Sequence, residues 1–221
     1  MKNKIGIIAD SFLFKGLPEA QLAEVARIAK EKKLGRGEAV FFEDDPASGF
    51  YMVAEGRVKI FKVSMGGKEQ ILHVFGPGEP FGEVAVFHGQ PFPANAATLV
   101  RSTLLYFPRQ EFVRLVTANP SLALNMIAML SLRLRRFANQ IENLSLKEVP
   151  GRLASYLRYL AEEQARDDRV VLDLPKGQLA SLLGTSPETL SRIFARMSEE
   201  GLIRVQGKTI HLLDMERLRE R

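Results

Sequence analysis

Apolar residues change their period twice along this chain. A helical stretch over residues 18–33, with Leu22, Val25, Ala26 and Ile28 on one face, gives way to short alternating runs punctuated by glycine. Those runs predict strands at 40–42, 50–53, 58–63, 70–75, 94–100 and 103–107. They are separated by Gly35-Arg-Gly, Glu55-Gly, Gly66-Gly, Gly76-Pro-Gly and Gly89-Gln-Pro. Short strands at this spacing, with turn residues between them, build a barrel or jelly roll. A short helix over 109–118 follows, and Asn119-Pro120 breaks the chain before the second change of period.

From residue 120 to 148 the pattern is helical. Ala123, Ile127, Leu130, Leu134, Phe137, Ile141 and Leu144 recur at spacings of four and three, which is a heptad seam. Arg133, Arg135, Arg136, Gln140 and Glu142 are expected on the opposite face. A period of about 3.5 residues held over three heptads suits a partner helix better than a curved sheet, and so predicts a homodimer. The alternative is a helix packed on its own β-domain. Val149-Pro-Gly ends the seam, and a new amphipathic helix over 152–164 carries Leu153, Tyr156, Leu157 and Leu160 on one face. Proline and glycine here predict a hinge.

The last third has its own logic. A strand over 170–174 leads to a helix over 175–183, then Gly184, then a helix that opens with Ser186, Pro187 and Glu188. Serine is a good N-cap, proline fits the first helical position, and a carboxylate suits the positive helix start. Leu179, Ala180, Leu183, Leu190, Ile193, Phe194 and Met197 are spaced to pack the two helices together, which predicts a helix-turn-helix. Glu188, Thr189, Ser191 and Arg192 then face outward. Arg192 is long enough to fork onto guanine and Glu188 to accept from cytosine; the plainer reading is a Glu188–Arg192 surface salt bridge. Two short strands around Gly207 complete a wing, with Lys208 and Thr209 at its tip placed for phosphate.

Composition narrows the possible chemistry. A chain of 221 residues, 46% apolar, has room for one large or two modest soluble cores. No run approaches the roughly 18 to 20 apolar residues of a membrane helix, and the run at 5–9 is too short for a signal peptide; the expected location is the cytoplasm, with no membrane partner. The absence of cysteine excludes structural disulfides, thiolate-ligated iron–sulfur clusters and thiol switches. A net charge of +5 suits a polyanion, but Glu162, Glu163, Asp167, Asp168, Glu199 and Glu200 crowd the last third. Charge alone therefore does not locate a DNA face.

The residues Gly76-Pro-Gly-Glu-Pro-Phe-Gly-Glu with Phe87 after them, Gly151-Arg152, Ser186-Pro-Glu-Thr-Leu-Ser-Arg and Gly201-Leu-Ile-Arg-Val-Gln-Gly-Lys-Thr-Ile make the chain resemble the Crp/Fnr family of bacterial regulators over essentially its whole length. The resemblance implies an α+β architecture. Residues 1–119 would form an effector-sensing β-roll of the cyclic-nucleotide-binding type, a double-stranded jelly roll. Residues 120–148 would form a coiled-coil dimerisation helix, and residues 149–221 a winged helix-turn-helix. It also implies a transcription factor and not an enzyme, a palindromic operator with TGA and TCA cores, and contact with RNA polymerase. Ser186, Glu188, Thr189, Ser191, Arg192, Lys208 and Thr209 would touch DNA. The seam Ile127, Leu130, Leu134, Phe137, Ile141 and Leu144 would join two copies.

The same resemblance places the small-molecule effector near Phe81, Gly82, Glu83, Phe92, Pro93, Ala94 and Phe137. Cyclic-nucleotide receptors of the family set an Arg-Ser pair and a Thr-Ser pair where this chain has Pro93-Ala94 and Phe137-Ala138. A buried phosphate opposite Pro93 would lack its cation, which argues against cyclic AMP. The apolar character that remains suits haem or a hydrophobic organic ligand. Gln90-Pro-Phe-Pro-Ala-Asn-Ala is similar to family members that respond to nitrogen oxides, haem-containing ones among them. Haem needs an axial ligand, and of His73, His88 and His211 the residue expected to serve is His88, beside Phe87.

Two other classes compete with this reading. A cupin-like enzyme needs a convergent set of histidine and carboxylate metal ligands, which His73 and His88 lack in spacing. A β-roll module that regulates a protein partner would have no use for the wing.

Overall fold

The computed structural model describes residues 4–83, 87, 89–172 and 174–219. The chain divides into two compact units, Met1–Leu134 and Arg135–Arg221, so the boundary falls inside a helix.

In the first unit, α1 (Lys4–Asp10) and α2 (Glu19–Ile28) precede eight strands: β1 (Lys30–Leu34), β2 (Ala39–Phe41), β3 (Gly49–Glu55), β4 (Val58–Val63), β5 (Glu69–Phe75), β6 (Pro80–Phe81), β7 (Asn95–Thr98) and β8 (Ser102–Pro108). They pair antiparallel in two four-stranded sheets, ordered β1-β8-β3-β6 and β2-β7-β4-β5. This is the expected roll, and strand alternation decides what each face meets. On β3, Val53 joins Phe41, Val58, Phe75 and Phe81 in a core between the sheets. Phe50 and Met52 turn the other way. They bury against Ile8, Val25 and Phe112 from the helices that cover the outer face, among them α3 (Arg109–Ala118), and against Phe14 from the turn between α1 and α2.

One expectation is corrected here. The opening helix ends at Ile28, and residues 30–34 are a strand paired with β8. Its sequence Lys-Glu-Lys-Lys-Leu hides a strand behind charge, because it is an edge strand whose exposed side chains face water. The run at 5–9 is part of α1, which buries Ile8.

Helix α4 (Pro120–Leu146) is continuous over 27 residues. Its inner stripe, Leu122, Met126 and Met129, is buried, with Leu122 and Met126 in the core that covers the outer sheet face. A different stripe carries the seam residues, and Ile127, Leu134 and Ile141 stay 61%, 71% and 65% exposed in the single chain. The helix thus packs on its own β-domain along one stripe and leaves the seam stripe uncovered. Leu124, Leu132 and Leu146 are exposed as well and lie off the seam.

The second unit continues with α5 (Val149–Glu163), β9 (Arg169–Val171), α6 (Lys176–Leu182), α7 (Pro187–Glu199), β10 (Ile203–Gln206), β11 (Thr209–Leu212) and α8 (Met215–Arg219). Pro150 sits in the first turn of α5, where its missing N–H costs nothing, so the helix begins three residues before the expected start. The strands order as β10-β11-β9. One core joins Leu153, Leu157 and Leu160 of α5 to Leu179, Leu190, Phe194, Met197, Ile203 and Ile210.

Among the described residues, no single helix is long and apolar enough to cross a membrane.

Candidate nucleic-acid interface and effector site

Helix α7 starts where its cap residues dictate. Ser186 is extended, at φ −89° and ψ 155°, and its hydroxyl oxygen accepts the Thr189 backbone N–H at 3.2 Å. Leu190, Ile193, Phe194 and Met197 bury one face of the helix. The other face presents Glu188, Ser191 and Arg192 to solvent, with Thr189 half-buried beside them.

These side chains are organised, though not as a Glu188–Arg192 bridge. Arg192 Nη2 donates to Thr189 Oγ1 at 3.1 Å, and that hydroxyl lies 3.2 Å from Ser186 Oγ. Ser191 Oγ donates to the Pro187 carbonyl at 2.9 Å, which leaves its oxygen as an acceptor. The Glu188 carboxyl is held below its ordinary range, chiefly by its own backbone N–H, then by the Ser186 hydroxyl, with the Arg192 charge a smaller cause. It therefore stays an ionised acceptor facing outward.

The wing completes the surface. Gln206 pairs with Thr209, so Gly207 and Lys208 form a two-residue turn, and the positive φ of Gly207, 61°, is what the first position of a type II′ hairpin turn requires. Lys208 is exposed at the tip and Thr209 is half-buried. Arginine on α7 and lysine on the wing are suited to different tasks: a forked donor reads a base edge, whereas a point charge positions the phosphate backbone. Arg192→Ala is expected to cost about 1 to 3 kcal/mol at one base position while sparing other sequences. An equal loss on every duplex in an anisotropy titration would remove Arg192 from base reading.

The expected effector residues are more tightly packed than an open pocket. Phe81 and Phe92 are buried, and Phe92 stacks on Phe41 with centroids 3.7 Å apart. Tyr51 and Phe75 flank Phe81 at 5.6 and 5.5 Å. Burial of the Tyr51 phenol, with help from Tyr106 and Asp45, raises its pKa. Gly82 has φ 76°, and a Cβ there would approach Phe92 to 3.1 Å and Phe41 to 3.3 Å, so the turn into Glu83 needs glycine. Ala94 is buried and Pro93 is exposed. Phe137, further along α4 in the second unit, is 44% exposed.

One partner was not legible from the pattern. Arg133, expected on the solvent face of α4, turns back into the first unit. It pairs with the buried Glu83, donates to the Pro80 carbonyl, and lies 5.0 Å over the Phe75 ring. The second Glu83 oxygen, Oε2, is buried without a hydrogen-bond partner among the described residues. Of the histidines, His88 lies outside the described residues. His211 Nε2 meets the Gln206 side chain at 3.0 Å on the wing, and His73 packs edge-on against Phe75 at 4.5 Å.

A β-roll with a buried Gly-Glu turn, a long helix with an exposed apolar stripe, and a capped recognition helix with a wing define an effector-binding DNA-binding regulator. Comparison with known proteins agrees. Residues 31–119 match the cyclic nucleotide-binding domain and residues 151–221 the Crp-like helix-turn-helix domain. The CRP-like cAMP-activated global transcriptional regulator of Mycobacterium tuberculosis is 30% identical over 219 residues, covering 97% of this chain and 98% of its own. The solved structure of DNR from Pseudomonas aeruginosa is 35% identical over 96% of this chain and 95% of that one, with a TM-score of 0.50. FixK2 from Bradyrhizobium japonicum, 24% identical over 87% of this chain and 96% of its own, supports the fold at a TM-score of 0.77. The chain belongs to the Crp/Fnr family of transcriptional regulators, whose members bind DNA and act as dimers.

Proposed function

We propose that this regulator works as a homodimer joined along the Ile127, Leu130, Leu134, Phe137, Ile141 and Leu144 stripe. It reads a palindrome with TGA and TCA cores through Glu188, Ser191 and Arg192, acts in the cytoplasm, and answers to an effector other than cyclic AMP. Two-fold symmetry then sets the half-sites about one helical turn apart. Contact with RNA polymerase belongs to the same reading.

The observation that carries the effector assignment is the Arg133–Glu83 pair. A cyclic nucleotide needs a cation for its phosphate. The position the family uses for one is the exposed Pro93, and the Arg133 guanidinium is already engaged by Glu83 and the Pro80 carbonyl. The relative from Mycobacterium tuberculosis is named for activation by cAMP; the substitution at Pro93 is what separates this chain from that chemistry. Phe41, Tyr51, Phe75, Phe81 and Phe92 favour an apolar, flat ligand. Haem is the flat ligand that would supply a gas-binding iron; its expected axial donor, His88, lies outside the described residues. Any ligand that competes for Glu83 or Arg133 acts directly on α4, because Arg133 is part of that helix.

Protein purified without oxygen and titrated with haem should develop a Soret band that shifts with nitric oxide or carbon monoxide, while cyclic AMP leaves the thermal midpoint unchanged. A rise in midpoint with cyclic AMP would overturn the effector assignment. No Soret band after reconstitution would move the ligand to the organic class.

A further inference from the structure

Gly151-Arg152 carries part of the family resemblance, yet the DNA face and the effector region leave Arg152 without a task. Its surroundings supply one. Helices end with orphan carbonyls that need donors, and both ends near Arg152 are helix C-termini. The half-buried guanidinium donates from Nη1 to the Leu183 carbonyl at 2.7 Å, at the close of α6. From Nε it donates to the Lys147 carbonyl at 3.2 Å, one residue past the end of α4. One planar cation thus caps two helices, with its charge favoured by the negative end of each dipole. A second brace crosses the same break, since Lys147 Nζ donates to Ser155 Oγ of α5 at 2.7 Å.

We infer that Arg152 is a positioning residue that ties the end of the dimer helix to the turn before the recognition helix. The hinge expected at Val149-Pro-Gly lies within the first turn of α5, and the helix break just before it, at 147–148, is a strut. A rotation at the end of α4 carries the Leu183 carbonyl with it, and therefore moves Gly184 and the cap of α7. The inference rests on the reading of α7 as the DNA-reading helix, but its test is made without DNA. A wild-type chain that ignored every palindrome would sink that reading and leave this measurement intact.

The chain has no cysteine, so a labelled pair can be introduced on a clean background. Nitroxides at Glu142→Cys on α4 and Ala195→Cys on α7, in labelled chain diluted into excess unlabelled chain, report their separation by double electron–electron resonance. The strut predicts a single narrow distance peak that is lost in Arg152→Gln, while Arg152→Lys, able to keep one of the two bonds, gives an intermediate width. A merely stabilising role would lower the thermal midpoint and leave the peak narrow. An unchanged distribution in folded Arg152→Gln overturns the inference. Should that variant not fold, wild-type width in Arg152→Lys overturns it and broadening supports it.

Discussion

Leu134→Asp combined with Ile141→Asp is expected to turn the dimer into a monomer and to abolish binding to the palindrome. Both residues are apolar, more than half exposed in the single chain, and seven apart on the seam of α4. Covering a large aliphatic side chain contributes roughly 1.5 to 3 kcal/mol, so four such side chains at a two-fold contact supply roughly 6 to 12 kcal/mol before the entropy of association is subtracted. Aspartate removes that contribution and sets carboxylates against each other in a partly desolvated seam. Sedimentation should show one chain per particle with the winged-helix fold retained. A variant that stays dimeric at micromolar concentration would place the dimer contact elsewhere, and the exposed Leu124, Leu132 and Leu146 would be the next residues to replace.

Arg133→Met should destabilise the first unit by about 3 to 5 kcal/mol, the usual consequence of leaving one member of a buried ion pair without its partner. The Glu83 side chain is only 3% exposed and its Oε2 has no hydrogen-bond partner among the described residues, so the carboxylate cannot recover its hydration by a small movement. Loss of the cation over Phe75 adds to the effect. Glu83→Leu in the same chain should restore most of the loss, because an apolar pair of similar volume replaces a buried ion pair at little net cost. Urea denaturation of the two single variants and the double variant tests this. Equal, additive losses would show that the two side chains do not act on each other.

Strands β2, β3, β4, β5, β7 and β8 were legible because each combines alternating apolar residues with a flanking turn, and β4 matches its expected limits residue for residue. The recognition helix was legible because Ser186, Pro187 and Glu188 are local signals that need no tertiary context. Strand β1 was not, since a charged edge strand carries no alternation. Strand β6 is two residues long and reads as part of its turn. Arg133 was misplaced for a related reason. Heptad counting finds the seam, but only packing shows that Leu122, Met126 and Met129 form a second apolar stripe, and that Arg133, one turn beyond Met129, prolongs it. The Arg152 bonds join residues 147, 152 and 183 through backbone carbonyls, which leave no trace in side-chain pattern.

The most direct test of a dimer that reads sequence through α7 is a fluorescence anisotropy titration at fixed salt, with and without haem. It compares a duplex carrying TGA and TCA half-sites one turn apart with a scrambled duplex of the same composition. The palindrome should bind on the order of 10³-fold tighter or more, with two chains per duplex. Equal affinity for both duplexes in every condition would contradict it.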